Sequence, residues 1–257
     1  MEKTSRHARA MRGIATATRG LLDLIYPPLC HACERTRSRV DSSLCEHCGV
    51  GRVELLPGRR CVACAGDVDG LGVCCDCSGA HLPFEQVIVP GAYDGVLREL
   101  IVGLKYRRRV HLAAPLGELI AKQIVLQGIE LPTHVVPVPL TLGRRMKRGF
   151  NQADLIAGDL ARRLHLIHAP RALRRPGFRA PRQTSLSRRR RAANVRGAFR
   201  IGRPLPERAT VLLVDDVVTT ARTVIEAALT LCESGVTRVV VAAAARTVRR
   251  SPDRDRR

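Results

Sequence analysis

The chain has 257 residues and a formal net charge of +21, from 44 Lys and Arg against 23 Asp and Glu. That length suits one substantial domain plus a small module, and that charge draws polyanions such as nucleic acid, nucleotides or diphosphate. With no Trp, three Tyr and four Phe, the composition argues against a protein that holds single strands mainly by base stacking.

Ile14 to Tyr26 is mildly apolar but broken by Arg19 and Asp23, with no cleavage pattern before Pro27. Residues 12–25 therefore read as a short amphipathic helix rather than a leader. No run approaches the ~18 apolar residues of a membrane span, so a cytoplasmic protein with no membrane span is expected.

Nine of the ten cysteines then fall between residues 30 and 77. They form four Cys-x-x-Cys knuckles: Cys30 and Cys33, Cys45 and Cys48, Cys61 and Cys64, Cys74 and Cys77. Each knuckle turns two thiolates toward one ion, and two knuckles complete a tetrahedral sulfur shell, so about two structural zinc ions are expected. A reducing compartment and the repeated spacing argue against a disulfide framework. An iron–sulfur cluster is the lesser alternative. Spacing leaves the pairing of knuckles open, and Cys75 competes with Cys74. Gly49 and Gly66 follow knuckles where a permissive backbone is useful.

Strand and helix patterns alternate over the rest of the chain. Residues 84–93 open with a strand, Gly95 to Leu104 has helical spacing, and Leu112 to Leu126 is a second amphipathic helix. His134 to Pro139 reads as a buried strand, Arg144 to Gly149 as a basic loop, and Phe150 to Leu164 as a helix. Arg171 to Arg200 holds eleven Arg and no acid, a composition that repels itself and suits a mobile flap over an anionic substrate. Val211 to Val214 is a strand, a helix runs to Glu233, Gly235 stops it, and Val236 to Ala245 is a last strand. Cys232 reads as a buried thiol in that helix, and the chain from Arg246 onward as a frayed basic end. The alternation argues an α/β fold with a mostly parallel sheet.

The most informative string is Val211 to Thr223, where four apolar residues run into Asp215 and Asp216, then Thr219 and Thr220, then a helix. Open α/β sheets bind ligands at the carboxyl ends of their strands, and a helix N-terminus offers free N–H groups to phosphate. Two ionised carboxylates are acceptor-only groups that take the hydrogens of a sugar diol or hold a hard cation. A plain helix cap would need one acid and no paired threonines.

That string resembles the phosphoribosyl diphosphate (PRPP) motif of type I phosphoribosyltransferases. The resemblance implies that Asp215 and Asp216 hold the ribose hydroxyls and that Thr219, Thr220, Ala221, Arg222 and Thr223 wrap the 5′-phosphate. Ala221 departs from the Gly usual there. Four ordered blocks extend the resemblance to the ComF/GntX family, over residues 21 to 246. They are Leu22 through Cys30 with Leu104-Lys105-Tyr106; Val136-Pro137-Val138-Pro139-Leu140 followed by Arg148-Gly149-Phe150-Asn151-Gln152; Gln183-Thr184 through Arg191, Asn194 and Phe199; and Asp215 to Thr220. The family implies a type I phosphoribosyltransferase-like, mostly parallel sheet with flanking helices, preceded by a small Cys-rich double zinc ribbon. On that basis the chain divides into a lead-in at 1–29, the double ribbon at 30–80, the phosphoribosyltransferase-like domain at 84–246 with its flap at 171–200, and a tail at 247–257. Val138 and Pro139 stand at the diphosphate loop, Arg148 beside it, and Gln183, Arg191 and Asn194 in the catalytic flap. The expected activity is binding of PRPP or a phosphoribosyl nucleotide with Mg²⁺, and transfer of the phosphoribosyl group, linked to natural competence. The alternative is a non-catalytic competence accessory that binds single-stranded DNA or competence proteins.

Overall fold

A computed structural model describes residues 29–35, 43–48, 53, 55–56, 58–69, 71–74, 77, 81–176 and 197–248. The helix expected over 12–25, Gly49, Cys75, the flap positions Gln183, Arg191 and Asn194, and the tail beyond Val248 lie outside the described residues. The chain divides into two units, Met1–Gly51 and Arg52–Arg257.

In the smaller unit the Cys30 knuckle closes as a tight turn, the Glu34 N–H donating to the Cys30 carbonyl at 2.8 Å. The His31 N–H donates to the Ser43 carbonyl at 3.2 Å, which brings the second knuckle alongside. In the larger unit the Cys61 knuckle closes the same way, from Ala65 N–H to the Cys61 carbonyl at 2.9 Å. Glu34 and Ala65 hold φ at 60° and 54°. The left-handed residue of the Cys61 knuckle is therefore Ala65, one position before the Gly66 expected from sequence.

The larger unit is built on a five-stranded parallel sheet of β1 (Val87–Ile88), β2 (His134–Pro137), β3 (Ile167–His168), β6 (Thr210–Val218) and β7 (Arg238–Arg246). Their order is β1-β7-β6-β2-β3. A separate antiparallel pair joins β4 (Leu173–Arg174) to β5 (Arg200–Ile201). Val211 to Val214 and Val239 to Ala245 are buried without alternation, as expected of parallel strands covered on both faces.

Helices α1 (Gly95–Tyr106) and α2 (Ala113–Leu126) connect β1 to β2, α3 (Leu142–Arg148) and α4 (Gln152–Leu164) connect β2 to β3, and α5 (Arg222–Glu233) connects β6 to β7. Asp94 caps α1 by accepting from the Gly95 N–H at 2.9 Å, and Asn151 caps α4 by accepting from Ala153 at 3.2 Å. On one sheet face, Val211, Leu213, Val239 and Val241 join Val224, Ala227 and Leu231 of α5 in one core. Cys64, Ala65 and Cys74 belong to that same core. Helices α2 and α4 pack together so closely that a Cβ at Gly117 would meet Asp159 Oδ2 at 2.3 Å. Asp159 is fixed there by Arg163 at 2.6 Å and Arg162 at 2.7 Å.

Several expectations are corrected. The basic loop at 144–149 is helix α3, opened by an extended Thr141 and closed by Gly149 at φ 82°. All of α3 lacks a buried residue, so no apolar stripe announces it in the sequence. The first strand shrinks to Val87–Ile88, and the last starts two residues later and ends one later, at Arg238–Arg246. Arg246 is fully buried at the end of β7 rather than frayed, its carbonyl accepting from the Tyr93 N–H at 2.7 Å. Cys232 is exposed, not buried, and lies 3.5 Å from the Pro83 carbonyl.

Candidate functional site

Strand β6 outruns its neighbour. Its last rung with β2 is Pro137 to Val214, while its pairing with β7 continues to Val218 and Arg246. Asp215 and Asp216 are therefore still in the strand, immediately past the carboxyl end of β2, where the sheet opens. This corrects the shorter strand read from sequence: both acids lie within β6, Asp215 in register with Ala243, rather than past its end.

Adjacent strand residues point to opposite sides of a sheet, and the two acids are treated differently. Lys105, in the last turn of α1, reaches Asp216 at 2.9 Å, and both side chains are only 14% exposed. Asp215 accepts from the Asp216 backbone N–H at 2.8 Å. Burial first, and the Asp216 charge second, push the Asp215 carboxyl up to about 7, against the pull of that N–H, Lys105 and Arg175. Arg175 follows β4 and packs over the Phe199 ring at 4.8 Å. Burial and Arg144 lower its guanidinium's affinity for the proton, and Asp215 opposes them.

The loop after β2 comes to the same place. The Val138 N–H donates to the Val214 carbonyl at 2.8 Å, one residue before the acids, and Val138's own carbonyl accepts from Asn151 Nδ2 at 3.0 Å. Val138 is buried and Pro139 half-buried. Arg148 donates to Gln152 Oε1 at 2.9 Å and lies over the Tyr106 ring at 5.3 Å. After β6, Thr219 and Thr220 are exposed, Ala221 is buried, and Arg222 and Thr223 open α5. Ala221 stands at φ 56° and ψ −7°, in the left-handed region that costs a non-glycine residue roughly 1–2 kcal/mol. It is only 4% exposed, in the core with Val218 and Val224, so the burial belongs to the methyl while the turn's hydroxyls stay open.

The structure thus gathers Asp215, Asp216, Val138, Pro139 and the 219–223 turn at one end of the sheet. Arg148 is held nearby on Tyr106 and Gln152. Two charged neighbours were not assigned to the site from sequence, although Lys105 stood in one of the resemblance blocks. Lys105 carried a usable signal, being one of only four lysines among 44 basic residues. Arg175 carried none, lost among the eleven arginines of its segment.

The cysteines fall into two sets, Cys30, Cys33, Cys45 and Cys48 in the smaller unit, and Cys61, Cys64, Cys74 and Cys77 in the larger one. Pairing is therefore sequential. A tetrahedral ion with metal–sulfur bonds of about 2.3 Å sets sulfurs about 3.8 Å apart. The Cys33–Cys45, Cys61–Cys77 and Cys64–Cys74 sulfurs lie 3.7, 3.8 and 3.4 Å apart. Burial raises the Cys48 and Cys64 thiols, and their sulfur neighbours add to it. Four thiolates that close coexist only around a cation, so both sets fit a metal ion. No helix among the described residues is long and apolar enough to cross a membrane.

The fold is that of an α/β protein with a five-stranded parallel sheet and flanking helices, preceded in sequence by cysteine sets that could hold structural metal. The chain is 33% identical over 241 residues to the DNA utilization protein YhgH of Escherichia coli, covering 92% of this chain and 98% of that protein. It is 28% identical over 221 residues to competence protein F of Haemophilus influenzae, covering 77% of this chain and 94% of that protein. The chain belongs to the ComF/GntX family. No protein-family model matches it. Among solved structures, glutamine PRPP amidotransferase from B. subtilis, complexed with ADP and GMP, overlaps 56% of this chain at 18% identity and a TM-score of 0.39. UMP synthase of Leishmania donovani overlaps the same share at 17% identity and a TM-score of 0.30. The chain spans 30% and 24% of those two chains.

Two outcomes are expected. Elemental analysis of the full chain gives two metal ions per chain, and a single ion would show that one cysteine set holds none. Because Asp215 titrates higher folded than the about 3.9 of an unfolded aspartate, it lowers stability as pH rises from there through about 7. Asp215→Asn therefore raises the Tm at pH 8 more than at pH 5; an equal change at both would contradict the raised carboxyl.

Proposed function

We propose that the protein binds PRPP or a phosphoribosyl nucleotide, together with Mg²⁺, at the carboxyl ends of β2 and β6, and that it serves the handling of DNA in natural competence. The observation that carries this reading is the convergence of the acid pair, the turn after β6 and the loop after β2. In it, Asp215 and Asp216 hold the two ribose hydroxyls and so fix the sugar's orientation. The Thr219 and Thr220 hydroxyls, the Thr223 hydroxyl and the first N–H groups of α5 receive the 5′-phosphate. Arg222 adds an exposed charge beside it. The Val138–Pro139 turn offers main chain to the diphosphate, with Arg148 and the flap residues Gln183, Arg191 and Asn194 as further polar groups.

The chemistry that suits this arrangement is displacement at the anomeric carbon through an oxocarbenium-like state, with diphosphate as the leaving group. Arginines near the site stabilise the charge that leaves. Mg²⁺, a hard cation that favours phosphate oxygens, would supply further neutralisation of the leaving charge. Both cysteine sets hold structural zinc, the ion favoured by closed four-thiolate shells. A cytoplasmic setting keeps those thiols reduced.

A second reading, a competence accessory for single-stranded DNA or partner proteins, is favoured by α3. Its Arg144, Arg145 and Lys147 are all exposed, as are Arg107 to Arg109 after α1. The relatives' names point the same way.

PRPP with Mg²⁺ is expected to raise the Tm, and the Asp215→Asn, Asp216→Asn double variant to abolish the rise. An unmutated protein that shows no rise would remove the phosphoribosyl reading. For the second reading, affinity for single-stranded DNA should fall steeply with salt, with a logarithmic slope near −0.7 per phosphate neutralised. Reversing Arg144, Arg145 and Lys147 to Glu should flatten it. Binding that ignores salt, or is absent at low salt, would count against that reading.

A further inference from the structure

We propose that Tyr106, backed by the Arg148 guanidinium, is the platform on which a planar nucleobase stacks beside the acid pair. The inference rests on the phosphoribosyl reading above and adds to it the class of group that occupies the acceptor side: a flat aromatic heterocycle, free or as the base of a nucleotide.

Three observations carry it. The chain owns seven Phe and Tyr in all, and among the described ones Phe84 and Phe199 are buried and Tyr93 and Phe150 half-buried. Tyr106 is the one left exposed, at 68%. A protein this poor in rings gains nothing for its core from that placement. Second, the ring is not loose. Arg148 lies over it at 5.3 Å, and Arg148 is itself tied to Gln152, whose side chain is fully buried. A cation on one face of a ring fixes its tilt and leaves the remaining surface for a second planar group. Third, the preceding residue, Lys105, touches Asp216. Successive residues of one helical turn thus contact the carboxylate assigned to the ribose and present the ring. A base attached to that ribose needs a flat apolar partner about one sugar's width from the diol.

The test compares ligands that share the ribose phosphate and differ in the base. Affinities for PRPP and for nucleoside 5′-monophosphates are measured by calorimetry on the full chain, for the unmutated protein and for Tyr106→Ala, Tyr106→Leu and Tyr106→Phe. Loss of a stacking ring weakens base binding roughly 10- to 100-fold. Tyr106→Ala and Tyr106→Leu are expected to weaken nucleotide binding by that factor more than PRPP binding, and Tyr106→Phe to restore it. The chain lacks Trp, so quenching of tyrosine emission by nucleotide, lost in Tyr106→Phe together with the phenol signal of this residue, gives a second readout. Equal loss for both ligand types, or none for nucleotides, would overturn the platform. Failure of the unmutated protein to bind any nucleotide while it binds PRPP would do the same. Tyr106-dependent nucleotide binding without PRPP binding would instead strike the PRPP reading and leave the platform standing.

Discussion

The ion pair between Lys105 and Asp216 decides what the acid end of the sheet can be. Two adjacent carboxylates at the edge of a buried parallel strand repel each other, and both lose solvent. One ammonium, delivered at 2.9 Å by the last turn of α1, pairs with Asp216. Burial first, and the Asp216 charge second, raise the proton affinity of Asp215 against the opposing pull of a backbone N–H, Lys105 and Arg175. The acids therefore differ by construction. Removing one partner of such a buried pair costs of order 3–5 kcal/mol, because the other charge is then left uncompensated. The pair also ties α1, which precedes β2, to β6, so the position of Tyr106 follows from it.

One of the two cysteine sets packs with this sheet. The set of Cys61, Cys64, Cys74 and Cys77 lies in the larger unit, and Cys64, Ala65 and Cys74 pack in the core that also holds Val138, Val218, Ala221 and Val224. The Val87 N–H donates to the Ala63 carbonyl at 2.8 Å, which couples the knuckle to β1. Order at this cysteine set and order beneath the turn after β6 are thus one packing problem. The other set belongs to a unit of its own.

Much of this was legible in the sequence because burial leaves a pattern. The unbroken apolar runs of β6 and β7, the stripe of α1 and the four knuckles each announce a constraint that composition alone satisfies. What escaped had no such imprint. Helix α3 buries nothing, so its Arg and Met residues read as a loop, although they are good helix formers. Strands β3, β4 and β5 have two residues each, too few for any period. Arg246 looked like the first residue of a basic tail, yet the ladder of β7 runs through it. Lys105 and Arg175 matter through tertiary neighbours 111 and 40 positions away, and no local rule reports such distances. Ala221 was the reverse case. Its departure from Gly was visible, but only the φ of 56° shows that the turn keeps the left-handed bend with alanine in it.

The two ends of the sheet are held differently. At the amino end, Thr133 and Thr210 exchange hydrogen bonds at 2.9 to 3.1 Å, and Arg238 grips both Glu85 oxygens and the Glu130 carbonyl at 2.9 to 3.0 Å. Those groups are matched, as stability alone would select, although His165 and Arg208, which lead into β3 and β6, also hold φ at 54° and 58°. At the carboxyl end stand an aspartate with a raised proton affinity, an alanine held at positive φ, a helix that buries nothing and an exposed ring. Each lowers stability or leaves it unimproved, and strain of this kind persists where the surrounding structure over-determines it. Proteins break their own local rules chiefly where they bind or react. That all four exceptions fall within reach of one acid pair, on segments as far apart in sequence as Tyr106 and Ala221, is the physical argument for treating this end of the sheet as one site.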